Sequence, residues 1–164
     1  SVYLSIGSNI EREGNVRSAL KALQSRFGKL ALSSVYETEA VGFNGPPFFN
    51  LTVRFESDKP IRDIAKSLRQ IETSHGRTRT TEKFTGRTLD LDILLFGTEA
   101  IEHERLTVPH RELPNRDFAL QPLLDLKADL ALPDGHTIAE LRQQCPDNGL
   151  RVLPPLPRLH SPLS

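Results

Sequence analysis

Apolar positions in this chain recur at two spacings, and the switches between them mark its elements. Residues 49–55 alternate most cleanly. Phe49, Leu51, Val53 and Phe55 point one way, and Asn50, Thr52 and Arg54 the other, which is the period of a half-buried β-strand. Residues 2–6 read as a short buried strand ended by Gly7-Ser8-Asn9, and 29–36 as a second, less regular strand. Helical spacing governs 15–26, where Val16, Ala19, Leu20 and Leu23 share a face and Gly28 stands ready to stop the helix. A second helix opens at Pro60, with Ile61, Ile64, Ala65, Leu68 and Ile71 on one face and Asp58 as its expected cap. Residues 88–96 form a fourth strand, turned by Gly97-Thr98.

Two stretches lack any apolar period and read as long loops: 37–48, with Gly42, Gly45, Pro46 and Pro47, and 73–86, rich in Thr and Arg. Beyond Phe96 the pattern weakens to strands near 100–101 and 106–108, a helical turn over 115–124 and a helix over 137–144. The order βαβ then βαβ, with helices long enough to cross over, predicts an α+β fold: a ferredoxin-like split βαβ sheet, mainly antiparallel, with its helices packed on it. Residues 1–153 are expected to make one domain, followed by a Pro-rich, disordered tail over 154–164.

In the fourth strand the alternation separates chemistry from packing. Asp90 and Asp92 are two positions apart, so they project from the same face, about 7 Å apart. Leu89, Leu91 and Ile93 point towards the helices. A water-facing strand would account for the two acids as well as a metal would. The same face continues with Leu94 and Phe96, however, and a wall of a pocket turns apolar in that way more readily than a solvated surface. The preceding loop brings Arg77, Arg79, Lys83 and Arg87 against the single acid Glu82, a net +3 in eleven residues. Such a run is commonly just a solvated loop. Here no glycine-rich phosphate-binding motif occurs anywhere in the chain. A bound nucleotide would therefore need side chains such as these, together with His110, Arg111 and Arg116, to neutralise its phosphates.

Composition narrows the partners. The chain has 164 residues and 21 basic against 21 acidic side chains, so no global charge favours nucleic acid or an anionic membrane. One cysteine, Cys145, excludes an internal disulfide and fits a reducing compartment; no secretory signal or membrane-spanning stretch is visible, and a cytoplasmic protein is expected. Aromatic side chains are scarce. Phe48, Phe49 and Phe118 lie beside polar residues, where a ring can stack on a flat heterocycle whose edge Asn50 could read. On the residues alone a metal-dependent phosphate-ester hydrolase and an RNA-binding domain stay open, although acids on the open face would repel RNA.

The block Arg87-Thr88-Leu89-Asp90-Leu91-Asp92-Ile93-Leu94-Leu95-Phe96-Gly97 resembles the 6-hydroxymethyl-7,8-dihydropterin pyrophosphokinases of folate biosynthesis. The resemblance extends through Ile6-Gly7-Ser8-Asn9, Tyr36-Glu37-Thr38, Phe49-Asn50, Ile71-Glu72, Gly76-Arg77-Thr78-Arg79, the stretch from Glu104 to His110, and Asn115-Arg116-Asp117-Phe118. It implies transfer of pyrophosphate from ATP to the pterin hydroxymethyl group with release of AMP; a monomer is expected. It also implies two Mg²⁺ ions at Asp90 and Asp92, with Arg79 and Arg87 catalytic. Arg77, Arg87, Thr107, His110 and Arg116 would contact ATP, and Glu72 would steady the nucleotide end or the loop base, with no chemistry of its own. Thr38, Val41, Gly42, Phe48, Asn50 and Phe118 would hold the pterin. Thr80, Phe84 and Thr85-Gly86 depart from the basic residue, the Trp and the Gly-Pro common in that loop.

Overall fold

A computed structural model describes residues 1–39, 45–76, 89–103, 106–147 and 149–154. In chain order the elements are β1 (Val2–Ser8), α1 (Arg12–Phe27), β2 (Ala31–Leu32), β3 (Tyr36–Thr38), β4 (Phe48–Phe55), α2 (Ile61–Ser74), β5 (Asp90–Phe96), β6 (Ile101–His103) and β7 (Leu106–Val108). A 3-10 turn (Leu113–Asn115), α3 (Asp117–Leu126), α4 (Ile138–Gln144) and β8 (Arg151–Val152) follow. The main sheet runs β5-β1-β4-β3-β8, with β2 also on β4, and its pairings are antiparallel. β1 thus lies between β4 and β5, and β4 between β1 and β3, the interleaving that two crossover units produce.

The alternation read in 49–55 becomes the two faces of this sheet. Phe49, Leu51, Val53 and Phe55 join Leu4, Ile6 and Leu91 beneath Val16, Leu20 and Leu23 of α1 and Ile64, Leu68 and Ile71 of α2. Burial of each such side chain contributes about 1.5–3 kcal/mol, so this layer fixes the register of every strand that carries it. Gly28, at φ 85, ends α1 and donates its amide to the Gln24 carbonyl at 2.9 Å. A left-handed turn of this kind suits a residue without Cβ.

Four expectations need correction. The face opposite α1 and α2 is not open along its whole length: Tyr3, Leu94 and Leu95 pack there against Leu113, Leu120, Leu123 and Ile138. The apolar stripe of α3 needs a partner, and this end of the sheet supplies one. Phe96 does not continue the face of Asp92. Leu4 pairs with Ile93 and Tyr3 with Leu95, so Leu94 is an extra residue in β5. Such a bulge shifts the alternation by one, turning Leu95 towards α3 and Phe96 towards the α1–α2 layer. The strand expected over 29–36 is two short pieces, with Ser33 between them accepting the Thr52 amide on its hydroxyl at 2.9 Å. Finally, Pro60 itself holds the N-cap of α2, with no side-chain cap; Asp58 stands two residues too early.

Candidate active site

Cross-strand pairing lines up the polar face of the sheet. Tyr36, Asn50, Gly7 and Asp90 form one rung across β3, β4, β1 and β5, and Thr52, Ser5 and Asp92 form the next. Directly paired residues point to the same side, so Asn50 and Asp90 share a face with only Gly7 between them. Neighbouring strands are about 4.8 Å apart, which puts the two residues' backbones about 10 Å from each other. A Cβ on Gly7 would meet the Asn50 Oδ1 at 3.2 Å and the Phe48 ring at 3.9 Å. Glycine here lets the Asn50 amide and the Phe48 ring approach β1 closely, and the three together make a candidate floor for a flat group.

The walls of that floor are fixed by packing. Asn50 is buried and donates its Nδ2 to the Thr38 Oγ1 at 2.7 Å. That bond orients the amide and commits its nitrogen side to Thr38. Phe48 is half-buried at the start of β4, and Phe118 half-buried in the first turn of α3. The Tyr36 hydroxyl donates to Asp125 at 2.6 Å, tying β3 to α3. Burial, then the Asp125 carboxylate, hold its phenol well above the usual tyrosine range.

On the other side β5 is an edge strand, and its outer amides need partners. Glu72 of α2, 1% exposed, accepts the Leu91 amide on its carboxylate at 2.8 Å. Leu91 lies between the two aspartates, so this charge-assisted bond anchors the backbone that presents both. Asp90 and Asp92 are half-buried. Asp92 faces the Arg116 guanidinium at 3.8 Å, and that guanidinium lies 5.6 Å from the centre of the Phe118 ring.

His110 is placed by its own backbone. Its amide donates to the carbonyl of Leu94, the extra residue of the bulge, at 2.9 Å. Its Nδ1 accepts the Glu112 amide at 3.1 Å, so the neutral ring carries its proton on Nε2. Burial, then the positive Arg116, push its pKa below the ordinary histidine value, while Glu112 and Asp90 act in the opposite sense. Asp92, Thr107 and His110 line a common cavity of about 370 Å³ with Leu68, Arg69 and Arg111.

The described residues thus bring together Thr38, Phe48 and Asn50 on one side, and Asp90, Asp92, Thr107, His110 and Arg116 on the other. Glu72 stands behind the aspartates. Arg77, Arg79, Arg87, Val41 and Gly42 lie outside the described residues. Two site features were missed from the residues alone. Gly7 carried a usable signal, a glycine interrupting a buried strand. The bond from Glu72 to Leu91 carried none, because it depends on how α2 lies against β5.

The donor set fits a hard divalent cation. Two carboxylates on one face offer oxygen ligands, and they fall short of a closed shell. Among the described residues no group of three or more His, Cys, Asp or Glu is placed to hold a metal ion alone. Magnesium is commonly bound in this way, through one or two carboxylates, water and phosphate oxygens.

An interleaved antiparallel sheet with helices packed on it, its edge strand carrying two acids near a histidine and an arginine, defines the class: an α+β protein of ferredoxin-like fold. Residues 3–128 match the family model described as 7,8-dihydro-6-hydroxymethylpterin-pyrophosphokinase, and the chain belongs to that family. Relatives named 2-amino-4-hydroxy-6-hydroxymethyldihydropteridine pyrophosphokinase include one from Haemophilus influenzae, 35% identical over 94% of this chain and 99% of its own. Another, from Pseudomonas aeruginosa, is 38% identical over 93% of this chain and 96% of its own. The Plasmodium falciparum HPPK-DHPS wild type with pterin and p-hydroxybenzoate shares the fold, with a TM-score of 0.66 over 87% of this chain at 16% identity. This chain spans 42% of the length of that one. Among the described residues no helix is long and apolar enough to cross a membrane.

Proposed function

We propose that this chain transfers pyrophosphate from ATP to the hydroxymethyl group of 6-hydroxymethyl-7,8-dihydropterin, releasing AMP. The observation that carries the reading is the rung Asn50–Gly7–Asp90. It sets an amide suited to a heterocycle's edge and a carboxylate suited to a phosphate-bound cation on one face, about 10 Å apart. A pterin lying over Gly7 with its edge at Asn50 would point its hydroxymethyl group towards β5.

Asp90 and Asp92 would hold two Mg²⁺ ions, which supply charge neutralisation for the polyphosphate and its leaving group. The chain's own residues position the reactants. Arg116 and the Nε2–H of His110 would donate to phosphate oxygens, and the cavity beside Thr107 would receive the nucleoside end. Glu72 acts indirectly, by holding the strand that carries the acids. Arg77 and Arg87 are assigned to the triphosphate, Arg79 to the reaction step, and Val41 and Gly42 to the pterin edge, on the family resemblance. Phe48 and Phe118 supply the rings between which the pterin stacks. Transfer of this kind needs chiefly alignment and electrostatic stabilisation, which agrees with a site rich in charge. On this reading 1–153 is one pyrophosphokinase domain, acting as a cytoplasmic monomer.

Incubation with MgATP and the hydroxymethyl pterin is expected to yield AMP and the pterin diphosphate, and chelation of Mg²⁺ is expected to stop it. Release of ADP or inorganic phosphate irrespective of pterin would replace this reading with a hydrolase.

A further inference from the structure

The reverse side of the pterin floor carries an ion pair to which neither the sequence pattern nor the family relation assigns a role. Arg12, in the first turn of α1, donates from Nη1 to the Pro47 carbonyl at 3.0 Å and pairs with Glu37 at 2.9 Å. Its guanidinium also lies 3.9 Å over the Phe49 ring. Glu37 is well shielded, its side chain 13% exposed, and it meets a second cation, Arg151 of β8. Beside this cluster Asn9 donates to the Pro46 carbonyl at 3.1 Å.

The register shows what this cluster controls. Glu37 pairs with Phe49, while Thr38 pairs with Phe48 and Tyr36 with Asn50. Glu37 and Phe49 therefore face α1, and their neighbours Thr38, Phe48 and Asn50 face the floor. Arg12 lies on the face turned away from Thr38, Phe48 and Asn50. Its three contacts instead bind the residue before Thr38, the residue before Phe48 and the residue before Asn50. One guanidinium thus ties the Glu37 carboxylate at the end of β3 to the Pro47 carbonyl and the Phe49 ring at the start of β4, bridging the two ends of the connection between these strands. A planar fork over a ring loses little freedom when so held, unlike a flexible ammonium.

We propose that Arg12, paired with Glu37, is a positioning residue for pterin affinity and specificity, acting through Thr38, Phe48 and Asn50 and not by contact. This rests on the pterin reading above. Its consequence is a division of labour, because among the described residues the partners of the pair (Pro47, Phe49 and Arg151) lie away from the Asp90–His110 side. Weakening it should loosen pterin and leave nucleotide and chemistry alone.

The test compares wild type with Arg12→Ala, Arg12→Lys, Glu37→Gln and the Arg12→Ala/Glu37→Gln double variant. Pterin and a non-hydrolysable MgATP analogue are titrated by calorimetry, kcat and KM are measured for both substrates, and thermal midpoints are recorded. Arg12→Ala is expected to raise the pterin Kd and KM about tenfold, with kcat within about twofold and the nucleotide Kd unchanged. Arg12→Lys should recover part of that loss, and the double variant should be no worse than Arg12→Ala alone. If Arg12→Ala does not fold, the same split must appear in Arg12→Lys and Glu37→Gln. An unchanged pterin Kd in folded variants overturns the inference, as do equal losses in both substrates, or full additivity in the double variant. Where wild type makes AMP normally, such a result leaves the pyrophosphokinase reading standing. A wild-type protein that neither binds pterin nor makes AMP sinks both.

Discussion

The two halves of the site are held by different physics. The side assigned to the pterin is part of the sheet itself. Thr38, Phe48 and Asn50 belong to paired strands, Asn50 is buried and bonded, and Arg12 braces the segment from behind. The side assigned to the nucleotide gathers charges onto an edge strand and two turns: Asp90 and Asp92 on β5, His110 after β7, and Arg116 just before α3. A rigid rung suits a flat ligand that must be read along its edge. Long charged arms around a cavity suit a flexible chain of phosphates. The same sheet thus offers shape on one side and charge on the other, and Gly7 is where they meet.

Substitutions can break that contrast, and the largest effect is expected at the acids. Asp92→Asn keeps the shape of the side chain but removes the charge that suits a cation. Turnover should fall at least about a hundredfold while the pterin Kd measured without nucleotide changes little. Next comes the brace of the edge strand. Glu72→Ala leaves the buried Leu91 amide without its acceptor, and loss of such a partner costs about 1–3 kcal/mol, read as a lower denaturant midpoint with an unchanged slope. Gly7→Ala sharpens the comparison at the seam. The new methyl would crowd the Asn50 Oδ1 at 3.2 Å, and pterin affinity should drop about tenfold with nucleotide affinity retained. Equal losses on both sides would show that the halves are not separable.

The smallest effect concerns the strut between β3 and α3. The raised Tyr36 pKa means that the unfolded chain loses this proton first as pH climbs past about 10. The unfolded state then binds fewer protons than the native one, so stability falls with rising pH. The contribution is fully present below that point and declines above it. Tyr36→Phe should remove about 1 kcal/mol at neutral pH and flatten the alkaline limb of a stability profile. An unchanged limb would assign that decline to other groups.

How much of this was legible beforehand depended on whether the signal was local. The period-two pattern of 49–55 and the helical stripes of α1 and α2 were legible because each residue's side follows from its own neighbours. The D-x-D pair was legible for the same reason, and so was its place on the face away from those helices. The cover of α3 over that face was not, since α3 declares only an apolar stripe and not which surface receives it. The bulge at Leu94 hid in a run, Ile93-Leu94-Leu95-Phe96, that is apolar at every position, so no polar residue reported the change of phase. Arg12 and Glu37 are far apart in sequence, and as two ordinary charges they gave no sign of pairing beside the Pro47 carbonyl and the Phe49 ring. Local periodicity finds elements and chemistry, whereas bracing contacts exist only once the strands are paired.

Leu94 joins scaffold and reactivity through a single peptide unit. Since its carbonyl receives the His110 amide, a chain shortened by that one amino acid would still alternate correctly on both flanks of the gap. It would nonetheless lose the hitch that sets the imidazole near the acids. Loss of this buried residue is therefore expected to displace the imidazole while leaving β5 in phase with β1, a change that hydrophobic patterning alone would pass as sound.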